Sequence, residues 1–219
     1  MTGMTGLVIW GASGHAMVVA DIVRQLGRYE LVGFLDDFRT NPEYDPRLDG
    51  CILGGRAQLA ELRARGVGDL IVAVGDCAAR LQLASIATDH GFRLATVVHP
   101  RASAARNVCL GAGTVVCAGA VIGPACSVGQ NVIVNTSASV DHECVLEDGA
   151  HVSPGAHLGG NVVVRRGAWV GIGATVVPGV TIGAGSILGA GGVLLNDLPT
   201  GVVAVGVPAA VMRTDLANA

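Results

Sequence analysis

Aromatic side chains are scarce in this chain, only 3% of 219 residues. Its interior must therefore be packed from small and aliphatic groups. Long apolar runs are missing as well. The mean hydropathy is +0.56, yet no stretch reaches the ~20 residues that a membrane-spanning helix needs. Excess positive charge is absent, with a net charge of −3 and a pI near 6.0, which removes the electrostatic case for nucleic acid or an anionic membrane. Closely spaced cysteine pairs are also absent. Cys51, Cys77, Cys109, Cys117, Cys126 and Cys144 contain no C-x-x-C, and several fall where a small apolar residue is wanted, a role a free thiol fills. This reads as a reduced, cytoplasmic protein. No signal peptide is expected, since the opening MTGMTG leads directly into a strand.

What is abundant is a period of six. From Leu110 to Leu194 every sixth residue is aliphatic, fifteen in succession without an insertion. Two residues before each stands a small or short residue, such as Thr114, Ala120, Cys126, Ala138 or Cys144. Neither a helix nor an amphipathic strand keeps that phase over such a length. A hexapeptide repeat does, and it marks a parallel β-helix. Three hexads make one triangular coil, so the run supplies nearly five coils stacked at the inter-strand spacing, a prism roughly 24 Å long. The repeated side chain points inward, and glycine relieves the bends that need positive φ.

Residues 1–100 follow different rules. The apolar run Leu7-Val8-Ile9-Trp10 leads into Gly11-Ala12-Ser13-Gly14-His15. A helical apolar stripe follows at Ala16, Val19, Ile22, Val23 and Leu26. A strand over 31–35 then ends in Asp36-Asp37. Strand, glycine turn, helix, strand and acid is the order of a nucleotide-binding βαβ unit, with loop amides for phosphate and an acid for sugar hydroxyls. The loop is G-A-S-G-H rather than G-x-G-x-x-G, so a tight turn without a ligand stays open beside this reading. Residues 38–50 read as a loop, 56–65 as a helix, 70–74 as a buried strand ending at Gly75-Asp76, then a helix to about Asp89 and a strand over 94–98. The prism is expected over 101–196, and 197–219 as a tail that caps its open end.

Most of the prism surface is chemically bland. The exception is Val140-Asp141-His142-Glu143-Cys144, with His151 and His157 further on. His142 lies two residues past an inward position and should project outward. A carboxylate at Asp141 or Glu143 could orient one ring nitrogen and leave the other as a proton acceptor. A solvated histidine among acids remains the alternative. Zinc held by several histidines is a further alternative. His151 and His157 are six apart, on successive sides of the prism, and no metal is expected. Residues eighteen apart stack, which puts Pro154, Ile172 and Ala190 in one column with His151 near it in phase. His142 is half a coil from His151, so joint use of the two would require a neighbouring subunit.

The G-A-S-G-H opening, Asp36-Asp37, D-H-E-C within the hexads, G-A-H-V-S-P-G and a late G-V-P-A together resemble the bacterial nucleotide-sugar acetyltransferases over nearly the whole chain. That family includes N-acetyltransferases of UDP- or GDP-linked 4-amino-4,6-dideoxy sugars such as perosamine, serving O-antigen and lipopolysaccharide biosynthesis, and sialic acid O-acetyltransferases. The resemblance implies a Rossmann-like α/β domain followed by a left-handed β-helix, assembled as a homotrimer with acetyl-CoA between adjacent prisms. It implies His142 as base with Glu143 behind it, coenzyme contacts at His151, Ile172 and Ala190, and nucleotide-sugar contacts at Ser13, Gly14, His15, Asp36, Asp37 and Gly75. Gly160, one coil beyond His142, is a candidate donor to the developing oxyanion.

Overall fold

The computed structural model describes residues 4–213. The first three residues and the tail beyond Arg213 lie outside the described residues. The chain divides into two compact units, Met1–Pro100 and Arg101–Ala219.

The first unit is built on a mostly parallel sheet. Its strands are β1 (Thr5–Trp10), β2 (Tyr29–Leu35), β3 (Glu43–Asp45), β4 (Gly50–Gly54), β5 (Asp69–Val72) and β6 (Arg93–Leu94), in the spatial order β3-β4-β2-β1-β5-β6. The central strand β1 pairs in parallel with β2 and β5. That central position explains why Leu7, Val8, Ile9 and Trp10 form an unbroken apolar run, all at most 1% exposed. Helix α1 (Gly14–Leu26) buries Ala16, Val19, Ala20, Ile22 and Val23, and ends at Gly27 in the left-handed conformation. Helices α2 (Leu59–Ala64) and α3 (Cys77–Asp89) complete the layers.

Residues 38–50 are not a plain loop. Here β3 pairs antiparallel with β4. No alternating apolar pattern announces that hairpin, because an ion cluster centred on one buried carboxylate holds it. Asp45 is 2% exposed and receives Arg39 at 2.7 Å and Arg47 at 2.8 Å, hydrogen bonds that hold its carboxyl far below the usual carboxylate range. The expected helix over 56–65 is a 3-10 turn, Arg56–Gln58, running into α2. The expected strand over 94–98 is two short strands, β6 and Val97–Val98.

The second unit is a left-handed parallel β-helix. Two-residue strands stack with a register of eighteen, as in Val115↔Ile133 and Ile133↔His151. One face carries Ile133–Val134, His151–Val152 and Trp169–Val170; the next carries Ser139–Val140, His157–Leu158 and Thr175–Val176; the third carries Val145–Leu146, Val163–Val164 and Thr181–Ile182. Ser103–Ala104, ahead of the aliphatic period, also joins the stack by pairing with Val121–Ile122. From Val116 to Leu194 each inward residue is at most 3% exposed, a burial worth roughly 1.5–3 kcal/mol for a side chain of this size.

The small slots do more than save space. Thr114 Oγ1 donates to Gly129 O at 2.8 Å, Cys126 Sγ to Asp141 O at 2.9 Å and Cys144 Sγ to Gly159 O at 3.2 Å. A short polar side chain thus satisfies a turn carbonyl fifteen residues on. At the C-terminal end, Val203–Gly206 pairs in parallel with Ile187–Leu188 and antiparallel with Ala209–Arg213.

Candidate functional site

Two constellations carry the chemistry, one in each unit. In the α/β unit, the carboxyl ends of β1, β2 and β5 supply the expected residues. Gly11 has φ 132°, and a Cβ there would lie 2.5 Å from the carbonyl oxygen of Ala73, so only glycine allows β1 to turn so close to β5. Ser13 is the N-cap of α1, its side chain making no capping hydrogen bond. Ser13 and Gly14 are exposed, leaving the first amides of α1 open to an anion.

His15 sits behind them with its Nε2 buried and unpartnered. Burial, and then the nearby Arg80 charge, lower its pKa from 6.5 to about 4, so it is neutral at physiological pH. Arg80 itself is completely buried. Its Nη1 donates to Val74 O at 3.0 Å and Gly75 O at 2.9 Å, fixing the loop in which Gly75 lies. Sequence reasoning missed Arg80. The available signal was an arginine in line with Cys77, Ala84 and Ala87 on the buried stripe of α3.

The two acids part company. Asp36 Oδ1 accepts the backbone amides of Phe38 at 2.8 Å and Arg39 at 3.2 Å, an Asx turn that closes the end of β2. Asp37 binds Arg56 through the guanidinium and the backbone amide, both at 2.8 Å. Partial burial alone would raise the Asp37 carboxyl, but the bonds from Arg56, aided by Trp10, outweigh it and lower its pKa. Both carboxylates are half-buried anchors as well as candidate acceptors.

In the prism, His142 projects outward with its side chain 54% exposed. Its Nδ1 lies 2.9 Å from Glu143 Oε2, while Asp141 Oδ1 accepts the His142 backbone amide at 2.8 Å. Glu143 is therefore the acid that orients the ring. A carboxylate only accepts, so Nδ1 carries the proton and Nε2 holds the free lone pair. Glu143 adopts φ 60°, a left-handed corner given to glycine at Gly149, Gly155, Gly167 and Gly173; a non-glycine residue is held there at a cost of ~1 kcal/mol or more. The imidazole lies directly over Gly160 of the next coil.

The column containing Ile172 and Ala190 is open, with Ile172 61% exposed and Ala190 also exposed. His151 is not open in a single protomer. It is 6% exposed, stacks on Trp169 at 5.4 Å and 5°, and meets Asn135 Nδ2 through Nε2 at 3.3 Å. Trp169, missed from the sequence, is exactly one coil from His151 in register. His157 lies on a different face and meets Ser139 Oγ at 2.8 Å. Among the described residues no group of three or more His, Cys, Asp or Glu side chains could hold a metal.

Comparison with known proteins identifies the family. The profile of the PglD N-terminal domain matches residues 6–87. Perosamine N-acetyltransferase PerB from Caulobacter crescentus, crystallised with CoA and GDP-perosamine, is 41% identical over 95% of this chain and 98% of its own, with a TM-score of 0.90. This chain belongs to the β-helix nucleotide-sugar N-acetyltransferases. The acetyltransferase domain of PglB from Neisseria gonorrhoeae, in complex with acetyl coenzyme A, is 37% identical over 96% of this chain and all of its own, with a TM-score of 0.89. WeeI from Acinetobacter baumannii, at 24% identity over 96% of this chain and all of its own, shares the fold with a TM-score of 0.84. Membership makes this chain an acyltransferase.

Cys144 and Cys117 offer no acyl carrier. Burial pushes the Cys144 thiol, next to Glu143, up to about 11 and that of Cys117 to about 12, so neither supplies thiolate at neutral pH.

Proposed function

We propose that this enzyme transfers the acetyl group of acetyl-CoA to the C4 amine of a GDP-linked 4-amino-4,6-dideoxy sugar, GDP-perosamine, with His142 as general base. The observation that carries the reading is the outward His142–Glu143 pair at 2.9 Å, on a chain so similar to an enzyme crystallised with that sugar nucleotide. Variants of that enzyme with one histidine replaced by alanine or asparagine have been crystallised with the same two ligands.

The transfer is direct. The neutral amine attacks the thioester carbonyl, forming the C–N bond. Nε2 of His142 takes the amine proton, and the imidazolium that results is stabilised by Glu143 at Nδ1. Collapse breaks the C–S bond, and the proton passes to the departing CoA sulfur. Ser13 and Gly14 present amides to the diphosphate, His15 and Gly75 line the same strand ends, and Asp36 and Asp37 accept sugar or base groups. Ile172 and Ala190 offer open surface to the coenzyme, and His151 with Trp169 forms the wall behind it. The backbone amide of Gly160 is proposed to meet the oxyanion, a donor of a kind worth about 3 kcal/mol. The exposed Val207, Val211 and Met212 of the C-terminal hairpin, 73%, 46% and 70% exposed, add apolar surface that a subunit interface would cover. The proposed assembly is a homotrimer with coenzyme held between prisms, expected to run at three times the 22.0 kDa chain mass in sedimentation.

The test is CoA release from acetyl-CoA, with GDP-perosamine and a UDP-4-amino-4,6-dideoxy sugar assayed side by side. Turnover of the GDP sugar with kcat/KM above about 10⁴ M⁻¹s⁻¹ supports the reading. Preference for the UDP sugar reassigns the base. Reaction with a sialic acid alone replaces N-acetylation by O-acetylation.

A further inference from the structure

We infer that Gly160 acts as the seat of the catalytic imidazole: its missing side chain is what lets His142 lie against the next coil with Nδ1 on Glu143. This inference rests on the reading of His142 as base, and it gives Gly160 a part beyond any its amide plays at the oxyanion.

Two independent observations carry it. A methyl group at residue 160 would stand 2.6 Å from Nε2 and 3.0 Å from Nδ1 of His142, and closer still to Cε1. Its three nearest neighbours would all be atoms of that one ring. Gly160 does not occupy the left-handed region, so its backbone conformation does not call for glycine. The corner that does require positive φ is the next residue, Asn161, at φ 58°.

The repeat supplies the second observation. The equivalent turn position elsewhere in the prism accepts Ala118, Gln130, Thr136, Asp148, Arg166 and Ile172. From residue 112 to residue 190, glycine stands there only at 160. The slot tolerates side chains of every size except where the coil beneath it carries His142. Ring and glycine are thus two halves of one device, eighteen residues apart in one stacked column.

The ring is at the surface, so an added methyl pushes it aside rather than breaking the coil. Gly160→Ala should therefore keep its Tm close to wild type. Its kcat should fall about tenfold or more, toward that of His142→Ala, a loss within the range of base catalysis, with the KM for acetyl-CoA little changed. In the His142→Ala background the same substitution should cost nothing further. The His142 ring resonances in 1H–13C spectra, assigned by their loss in His142→Ala, should move in Gly160→Ala.

Unmoved ring resonances, or a full-rate Gly160→Ala enzyme beside a slow His142→Ala one, would overturn the inference. So would an additional loss in the double variant or a raised KM for acetyl-CoA, since the glycine would then act on the coenzyme itself. A full-rate His142→Ala enzyme is a different result: it removes the base, while the ring resonances still report on the seat.

Discussion

In the α/β unit each side chain has a place used once, whereas in the prism each place is used again every coil. Ser13, His15, Asp36, Asp37 and Gly75 sit at the ends of three different strands, and the arginines Arg56 and Arg80 that brace them come from elsewhere in the unit. In the prism the scaffold is the same at each turn, and chemistry appears as departure from the repeat. His142 is the one histidine in its turn slot from residue 112 to residue 190, Glu143 the one acid at the left-handed corner that follows, and Gly160 stands where other turns carry a side chain. A repetitive fold makes its active residues conspicuous. An irregular one hides them among structural partners.

The sharpest way to break this comparison is His142→Ala. Turnover at saturating substrates should drop by ~10²–10⁴ with acetyl-CoA binding retained, because one turn changes and the scaffold does not. A full-rate variant would take His142 out of the mechanism and leave the departure from the repeat without a purpose. Next in size is Leu158→Ala. Leu158 is 2% exposed inside the prism, and its truncation should lower the unfolding free energy by about 2–5 kcal/mol, read by guanidinium titration. Amide exchange should speed up in the neighbouring coils, since a stacked repeat passes a defect only to its neighbours. Exchange unchanged around residues 140–176 would contradict that local character.

Arg80→Met probes the irregular unit. It leaves the Val74 and Gly75 carbonyls without their shared donor, at about 1–3 kcal/mol for unpaired buried groups. The KM for the sugar nucleotide should rise while that for acetyl-CoA holds. Equal changes in both would show that Arg80 does not serve the nucleotide loop. The effect confined to the narrowest conditions is the acid sensitivity set by His15, which is nil at neutral pH. Its folded pKa is lowered from 6.5 to about 4, so below pH 6.5 the unfolded chain takes up the proton first. Stability from this group is complete above pH 6.5, is lost as the pH falls from 6.5 to about 4, and is level below that. The slope is at most about 1.4 kcal/mol per pH unit. His15→Gln should remove it in urea unfolding followed by Trp10 fluorescence in a Trp169→Phe background. Parallel slopes for the two proteins would show that His15 is not the group responsible.

What the sequence disclosed follows the same division. The period of six was legible because each inward position repeats one physical demand, and Val116 through Leu194 meet it. His142 and Glu143 were legible as charge on a bland surface, but the choice between Asp141 and Glu143 was not, since both are adjacent and only the left-handed turn at Glu143 aims its carboxylate at the ring. The β3–β4 hairpin was hidden because one buried carboxylate and two arginines hold it in place of an apolar pattern. Trp169 beside His151 could have been found by counting eighteen; Arg80 could not be tied to the Gly75 loop without coordinates.

The hairpin at the C-terminal end has a consequence for size. A parallel coil is its own template: the row of amides and carbonyls it presents is the row the next coil, or the end of another molecule, would pair with. Such a surface supports open-ended growth into a fibre. The last strand, Ala209–Arg213, runs antiparallel to its neighbour Val203–Gly206, so the edge it shows no longer has the polarity of the stack. The hairpin works as a chain terminator on one of the three faces, and a further coil, which must register on all three at once, loses its template there.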